Sequence, residues 1–287
     1  MRTLKSKVRK KLHQLKNPFF TMLLIKYFTR KHLYVEKERI SKELYQLLKT
    51  LQGYEFFSVS TTGALVLFHK EYVVKIPLGK VAEESLRKNY ENYLLLKESP
   101  LKEFINYQLE KQNKHYKMER LSKIVLSDKK AEQIISKLEN HCSKIQLRNI
   151  KGELFSNISQ LEKKMKIKID FSGDVDLSSS PMHGDFTKDN IMSNQSGNLV
   201  LIDLDRFTFH GIKGLDYLHY EIDHFSKVHS ITFFELLLHD KYIKNKLSYL
   251  YLVYRICQEY KENITLSKEY YKAAARCLEI LTPKNLT

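Results

Sequence analysis

The chain has 287 residues, 43% hydrophobic and 11% aromatic, a composition typical of a folded globular protein that excludes a low-complexity chain. Its 49 Lys and Arg against 33 Asp and Glu give a formal net charge of +16. No RNA-binding motif accompanies that charge, so nucleic acid is not an expected partner.

The first 50 residues are expected to form a basic, helical N-terminal segment. Residues 1–31 contain ten Lys and Arg and no acidic residue. Apolar residues recur there every three or four positions: Leu4, Val8, Leu12, Leu15 and Phe19. The pattern predicts an amphipathic helix, for which two alternatives stay open. It packs on the protein's own small lobe, or it binds an anionic membrane surface.

Strands dominate the prediction for the next part of the chain. Residues 52–76 are predicted to form strands, and Lys75 lies in a β-branched run whose flanking side chains point the other way. Such a lysine binds a ligand or is an exposed strand residue. Residues 83–97 have the apolar spacing of a helix, which contains Glu91. Residues 104–118 are bounded like a pair of strands.

Helices dominate the prediction for the rest of the chain. The apolar periodicity of residues 127–168 is helical, and residues 216–281 are predicted to form several helices. Residues 170–181 are predicted to be a loop. Three cysteines without metal-type spacing indicate a reducing, cytoplasmic setting.

The most informative stretch begins at residue 183 and reads H-G-D-F-T-K-D-N. Its aspartate, Asp185, precedes Asn190 by five positions, and Asp203 follows thirteen positions later at the end of an apolar strand. These are the spacings of the kinase catalytic loop and its metal-binding aspartate. A predicted hairpin, with its turn at residues 193–198, would bring Asn190 back beside Asp203.

Phosphoryl transfer explains why these residue types are needed. Its transition state is mostly charge that must be positioned and neutralised. The Asp185 carboxylate would orient the acceptor hydroxyl and take its proton. Asn190 and Asp203 would supply the amide and carboxylate oxygens that Mg²⁺ prefers. The predicted catalytic residues are therefore Asp185, Asn190 and Asp203, and the last two are the predicted metal ligands.

At these residues the chain resembles the aminoglycoside phosphotransferase and choline kinase family, which carries H-G-D-x-x-x-x-N and then a hydrophobic segment ending in Asp. The resemblance covers about residues 55–225. It implies an α+β, bilobal protein kinase-like fold, with a strand-rich N-lobe at 51–121 and a helical C-lobe at 122–287, after the basic segment 1–50. Asp216 resembles the family's aspartate that opens a helix and braces the catalytic loop.

The resemblance also implies ATP and Mg²⁺ as cofactors. Lys75 resembles the nucleotide lysine of the third strand, and Glu91 resembles the helix glutamate that pairs with it. The segment 117–121 resembles the inter-lobe hinge. A single glycine stands where the family has several, so phosphate contacts there would come from hydroxyls. The predicted nucleotide-binding residues are Lys75, Glu91, Ser60, Thr61, Met118 and Glu119. Lys188 is either a phosphate or acceptor contact or a surface residue.

These features predict an ATP- and Mg²⁺-dependent phosphotransferase that acts on a hydroxyl of a small molecule or glycan, such as a cell-surface polysaccharide or lipid-linked precursor. Only thirteen positions separate Asp203 from Asp216, which disfavours a protein acceptor. The basic charge balance favours an anionic acceptor. The predicted location is the cytoplasm, at the inner face of the membrane if the N-terminal helix binds lipid. The alternative function is a catalytically weak, kinase-like binding module, or pseudokinase, tethered by the basic N-terminus.

Overall fold

A computed structural model describes residues 42–140, 143–146, 154–170, 176–245, 247–262 and 266–282. The basic amphipathic helix predicted in residues 1–31 lies outside these residues. The described chain forms two compact units. The first unit extends to Ile124 and also contains Ile191–Asp205, and the second contains Val125–Asn190 and the residues from Arg206 onward.

The elements follow one another in the order strand, helix and strand pair that the sequence predicts for the first unit. In chain order they are α1 (Lys42–Thr50), β1 (Phe56–Val59), β2 (Ala64–Phe68), β3 (Tyr72–Pro77), α2 (Lys80–Lys97), β4 (Leu109–Gln112), β5 (His115–Glu119), β6 (Ser122–Lys123), α3 (Asp128–Glu139), β7 (Ser143–Gln146), α4 (Ile158–Met165), β8 (Asp176–Met182), β9 (Ile191–Ser193), β10 (Leu199–Leu201), β11 (Thr208–Ile212), α5 (Leu215–His229), α6 (Phe233–Leu237), α7 (Asp240–Ile243), α8 (Leu247–Glu262) and α9 (Lys268–Leu281).

The first unit is built on a five-stranded antiparallel sheet in the order β1-β2-β3-β5-β4. Helix α1 places Leu44 and Leu48, one turn apart, in the same apolar core as Val74 and Ile76 of β3. A smaller sheet in the order β10-β9-β6 belongs to the same unit. Strand β3 is thus a central strand that is paired on both sides, which gives Lys75 a rigid backbone.

The second unit is mainly helical. Its apolar core takes side chains from α4, α5, α6, α8 and α9, and Tyr251 and Leu252 of α8 are among its most buried members. Helix α6 begins with a capping box, in which Thr232 and Glu235 satisfy each other's backbone N–H groups. A three-stranded sheet in the order β11-β8-β7 completes the unit.

Two predictions of secondary structure are wrong. Residues 176–181, predicted as loop, belong to the central strand β8, and residues 143–146, predicted as helix, form its partner β7. The Ser-rich sequence of β8 and its Pro181 read locally as loop. Pro181 is tolerated because β7 pairs only with residues 176–179, and the register with β11 is irregular between Thr208 and Gly211. Long-range pairing therefore overrides local propensity here.

The α+β class is confirmed, with a strand-rich first unit and a helical second unit. The contiguous domains predicted at 51–121 and 122–287 stay a prediction. The observed first unit also takes in Ile191–Asp205, since β9 pairs with β6. No helix in the described part of the chain is long and apolar enough to cross a membrane.

Candidate active site

Lys75 and Asp203 form an ion pair in the first unit. Lys75 Nζ donates to Asp203 Oδ1 at 2.7 Å, across 128 positions of sequence. The Lys75 side chain is 18% exposed, whereas that of Asp203 is 47% exposed. Burial alone would lower the pKa of Lys75, but the Asp203 carboxylate raises it above its ordinary value. Lys75 therefore stays charged, and it is a largely covered ion-pair partner of Asp203 rather than an exposed strand residue.

Asp203 has an unusual backbone conformation. Its φ of +56° lies in the left-handed region, which a residue with a Cβ seldom adopts. Aspartate tolerates this region better than most residues, and such conformations persist only where the surrounding structure enforces them. Asp203 follows β10, whose three residues pair with β9 in the predicted hairpin. The hairpin is closed as expected, because Asn194 Oδ1 accepts from the backbone N–H groups of Ser196 and Asn198.

Glu91 does not pair with Lys75 as predicted. Both of its carboxylate oxygens accept from Arg87 Nη1, at 2.6 and 2.7 Å, one helical turn away on α2. The Glu91 side chain is 50% exposed. The order of the two residues in the sequence was the basis of the prediction, but the helical phase puts Glu91 on the solvent side of α2. A nucleotide role for Glu91 has no support from these contacts.

The turn between β1 and β2 contains the hydroxyls predicted to contact phosphate. Ser60 Oγ accepts from Ala64 N at 2.9 Å and lies 3.0 Å from Thr62 Oγ1. Thr61 is exposed at the tip, and Gly63 has a φ of +88°. The single glycine thus supplies the positive φ of the turn, and the Ser60 hydroxyl stabilises it. Phosphate binding by Ser60 and Thr61 stays a prediction.

The predicted hinge residues lie at the end of β5. Met118 is buried and pairs with Leu109 and Val73 of the neighbouring strands. The backbone N–H of Glu119 donates to the carbonyl of Gln108 at 2.9 Å. Both residues are therefore fixed by the sheet, and their contact with a nucleotide stays a prediction.

Asp185 in the second unit accepts several hydrogen bonds on one side of its carboxylate. Arg206 Nη1 and Arg255 Nη1 donate to Oδ1 at 3.1 and 3.2 Å, and His219 Nε2 lies 3.2 Å from the same oxygen. Asn190 Nδ2 donates to the carbonyl oxygen of Asp185 at 2.8 Å and to Oδ2 at 3.3 Å. Burial alone would raise the pKa of Asp185. His219 and the two guanidinium groups hold it well below its ordinary value, so Asp185 is ionised at neutral pH.

The two arginines were not predicted from the sequence. Arg206 makes a bidentate pair with Glu262, with bonds of 2.8 and 2.7 Å, and Arg255 Nη2 donates to Glu259 Oε1 at 2.9 Å. Arg206 directly follows the apolar segment and its two aspartates, which is a weak signal. Arg255 lies 70 positions from Asp185 on α8, and no local pattern indicates it.

Asp216 braces the loop that leads into Asp185, in the way that the resemblance implies. Its two carboxylate oxygens accept from the backbone N–H groups of His183 and Gly184, at 2.6 and 2.9 Å. Burial raises the pKa of Asp216 to about 6, although the two N–H groups and His183 act in the opposite direction. The aspartate is therefore ionised at neutral pH and fixes the backbone just before Asp185.

The side chains predicted to hold Mg²⁺ have suitable chemistry. Asp203 offers a half-exposed carboxylate, and Asn190 turns its amide nitrogen toward Asp185, which directs its amide oxygen to the other side. Asn190 belongs to the second unit and Asp203 to the first, and their approach stays a prediction. Among the described residues, no cluster of three His, Cys, Asp or Glu could hold a metal by itself. A site completed by phosphate oxygens needs no such cluster.

Lys188 has a structural partner. Its Nζ lies 2.8 Å from Asp128 Oδ1 at the start of α3, and the same oxygen accepts from Tyr220 Oη at 2.6 Å. These contacts favour a role in joining the catalytic loop to α3.

The solved structures to which the chain is similar include both kinds of enzyme named in the predicted resemblance. The choline kinase LicA from Streptococcus pneumoniae is 16% identical, with a TM-score of 0.49 over 84% of this chain and 98% of that one. The ADP-bound aminoglycoside phosphotransferase APH(2'')-Ib is 14% identical, with a TM-score of 0.47 over 86% and 100%. A choline/ethanolamine kinase family protein from Mesorhizobium loti is 12% identical, with a TM-score of 0.39 over 80% and 89%.

No protein-family model and no curated protein matches the chain. The function proposed below therefore rests on the chain's own side-chain geometry.

Proposed function

We propose that the protein is an ATP- and Mg²⁺-dependent phosphotransferase that phosphorylates a hydroxyl of a small molecule or glycan. The observation that carries the proposal is the 2.7 Å bond between Lys75 and Asp203. The two residues were assigned to one nucleotide site from separate motifs, 128 positions apart. A lysine and a metal-binding aspartate at the phosphates are what phosphoryl transfer requires.

The environment of Asp185 supports a role in orienting the acceptor. A general base works best when its pKa lies near the operating pH, whereas Arg206 and Arg255 keep the pKa of Asp185 low. A strong base is not required for a loose phosphoryl-transfer transition state, in which positioning dominates. Asp185 would thus accept a hydrogen bond from the acceptor hydroxyl and receive its proton late in the reaction.

Magnesium would be held by Asp203 and Asn190 together with the nucleotide's phosphates. When bound, the ion neutralises charge that develops on the transferred group. Lys75 would bind the phosphates beside Asp203, and the Asp216 brace would keep the loop that contains Asp185 and Asn190 in one conformation.

The segment between Asp203 and Asp216 supports a small acceptor. It is short, and Thr208–Ile212 within it are paired with β8. An anionic acceptor, as on a polysaccharide or lipid-linked precursor, has support from the net charge of +16. That support comes from the charge of the whole chain and not from the residues around Asp185, because Arg206 and Arg255 are each paired with a glutamate.

The proposal is tested by calorimetry of Mg-ATP binding and by ATP turnover, with and without a mixture of candidate acceptors. Lys75→Ala is expected to lower turnover by about a hundredfold, because it removes a positioned charge from the phosphates. Its thermal stability should fall little, since the remaining Asp203 carboxylate is half solvated. The matched control is Lys111→Ala, which removes an exposed lysine from the edge strand β4 of the same sheet. It should change neither turnover nor thermal stability.

The proposal is wrong if the wild-type protein shows no Mg²⁺-dependent nucleotide binding at millimolar nucleotide concentration. The kinase-like binding module would then replace the enzyme.

For residues 1–31, the proposal is peripheral binding at the inner face of a membrane, supported by ten basic and no acidic residues. Deleting them is expected to leave Mg-ATP affinity unchanged and to reduce sedimentation with vesicles that contain anionic lipid, most strongly at low salt. Vesicles of zwitterionic lipid are the control. Equal sedimentation of both proteins with anionic vesicles would favour a helix packed on its own lobe.

A further inference from the structure

Helix α2 contacts the segment after Asp203 through uncharged side chains. Asn89 Oδ1 accepts from the backbone N–H of Leu204 at 2.6 Å, and Asn92 Nδ2 donates to the carbonyl oxygen of Leu204 at 2.7 Å. Ser85 Oγ donates to Asp205 Oδ2 at 2.6 Å. The spacing of four and three positions puts the three side chains on one face of α2. Leu204 is completely buried, so its two backbone groups depend on these partners.

From these contacts we infer that Asn89 and Asn92 are positioning residues for Asp203 in the proposed nucleotide site. The inference rests on the proposed function. The Leu204 N–H belongs to the peptide unit that follows Asp203, so a fixed Leu204 amide fixes the ψ angle of Asp203. Because Asp203 is held at a φ of +56°, its backbone needs such an external constraint.

Asp203 is constrained at two places, its carboxylate and its backbone. Lys75 holds the carboxylate of Asp203, and the two asparagines hold the backbone beside it. All of these residues belong to the first unit. The side chain thereby keeps one direction, which pre-organises a metal-binding carboxylate.

The contact predicted between α2 and the nucleotide site was an ion pair of Glu91 with Lys75. The two asparagines of α2 instead contact the backbone beside Asp203. Glu91 lies between Asn89 and Asn92 in sequence but points to Arg87 on the exposed side of α2. The contacts between α2 and the segment after Asp203 are therefore made by the uncharged side chains of Ser85, Asn89 and Asn92. Nothing in the sequence patterns indicated the two asparagines, because each reads as an ordinary polar helix residue.

The opposite hydrogen-bonding roles of the two amides give a directional test. Asn92→Asp removes a donor and faces the Leu204 carbonyl with an acceptor, whereas Asn89→Asp keeps the acceptor oxygen. Both substitutions add one negative charge to the same helix, so a difference in affinity between them does not come from the added charge alone. Mg-ATP affinity and ATP affinity in EDTA are measured by calorimetry, with thermal unfolding of every variant.

Asn92→Asp is expected to weaken Mg-ATP binding about tenfold, because the carbonyl oxygen of the buried Leu204 loses its hydrogen-bond donor. Its affinity for ATP in EDTA should change little, because Asp203 acts through the metal. Asn89→Ala, which removes the acceptor for the Leu204 N–H, should weaken Mg-ATP binding in the same way, whereas Asn89→Asp keeps that acceptor and should restore the affinity. If the role were merely structural, the variant would unfold at a lower temperature, and its affinities for Mg-ATP and for ATP in EDTA would fall by the same factor.

The inference is overturned if Asn92→Asp or Asn89→Ala binds Mg-ATP as the wild type does, if Asn89→Asp loses as much affinity as Asn92→Asp, or if the loss is the same in EDTA. Should Asn92→Asp be too unstable to measure, Asn92→Ala removes the donor without adding charge and is judged by the same ratio. A wild-type protein that binds no Mg-ATP would instead count against the proposed function, so the two failures are distinct.

Discussion

Replacing Asp185 with asparagine is expected to lower ATP turnover by about two to four orders of magnitude, while Mg-ATP affinity stays near that of the wild type. The substitution keeps the shape of the side chain but removes the proton acceptor and the charge that Arg206 and Arg255 contact. Asp203→Asn should differ, because it removes a proposed metal ligand and the partner of Lys75. Both its turnover and its Mg-ATP affinity should fall.

Asp189→Asn is the matched control for both variants. Asp189 lies in the same loop and contacts Lys227, but both side chains are mostly exposed. Exposed ion pairs contribute little, so this variant should keep wild-type turnover and affinity. Turnover is measured as slow hydrolysis of Mg-ATP or with an identified acceptor, and affinity by calorimetry. Wild-type turnover in Asp185→Asn and Asp203→Asn would show that the site is assigned to the wrong residues.

The second large effect is expected at Gly184, between His183 and Asp185. Its φ is +80°, and an added Cβ would lie 2.5 Å from Tyr254 Oη and 2.6 Å from the carbonyl oxygen of Arg206. Gly184→Ala should cost about 1–2 kcal/mol for the backbone conformation and a further 1–3 kcal/mol for the clash. It should also reduce turnover, because relief of the clash displaces Asp185.

Gly197→Ala separates the two contributions to the cost. Gly197 has a φ of +79°, and an added Cβ would meet no atom within 4 Å. The free energy of unfolding of this control should therefore fall only by the cost of the backbone conformation, and its turnover should be unchanged. Thermal or denaturant unfolding gives the two free energies of unfolding. Equal losses in the two variants would mean that the catalytic loop accommodates a Cβ at Gly184.

How far the sequence predicts the structure depends on the range of the interactions involved. The hairpin of β9 and β10 was predictable, because a short motif with its own turn residues determines it, whereas the brace at Asp216 was expected only from the family resemblance. Strand β8 was not, since its Ser-rich sequence gains its structure only by pairing with β7 and β11. Local propensity carries no information about such partners.

The residues of the candidate site also differ in how far the sequence predicts them, according to the range of their interactions. Asp185, Asn190 and Asp203 belong to motifs with characteristic spacing, and so the sequence alone could propose them as site residues. Glu91 was assigned a partner from sequence order, but the pairing depends on the helical phase of α2, which order alone does not fix. Arg255 contacts Asp185 from 70 positions away, and a buried ion pair of that kind leaves no local pattern.

The one-sided contacts of Asp185 bear on regioselectivity. Oδ1 is occupied by Arg206 and Arg255, so an incoming hydroxyl is left with Oδ2, beside the Asn190 amide. In the proposed reaction, Asp185 lies on a braced loop and leaves only Oδ2 to the hydroxyl, so it would accept the hydroxyl from one direction. For an acceptor with several chemically similar hydroxyls, such as a sugar, this geometry favours transfer to one ring position over a mixture of phosphorylated isomers.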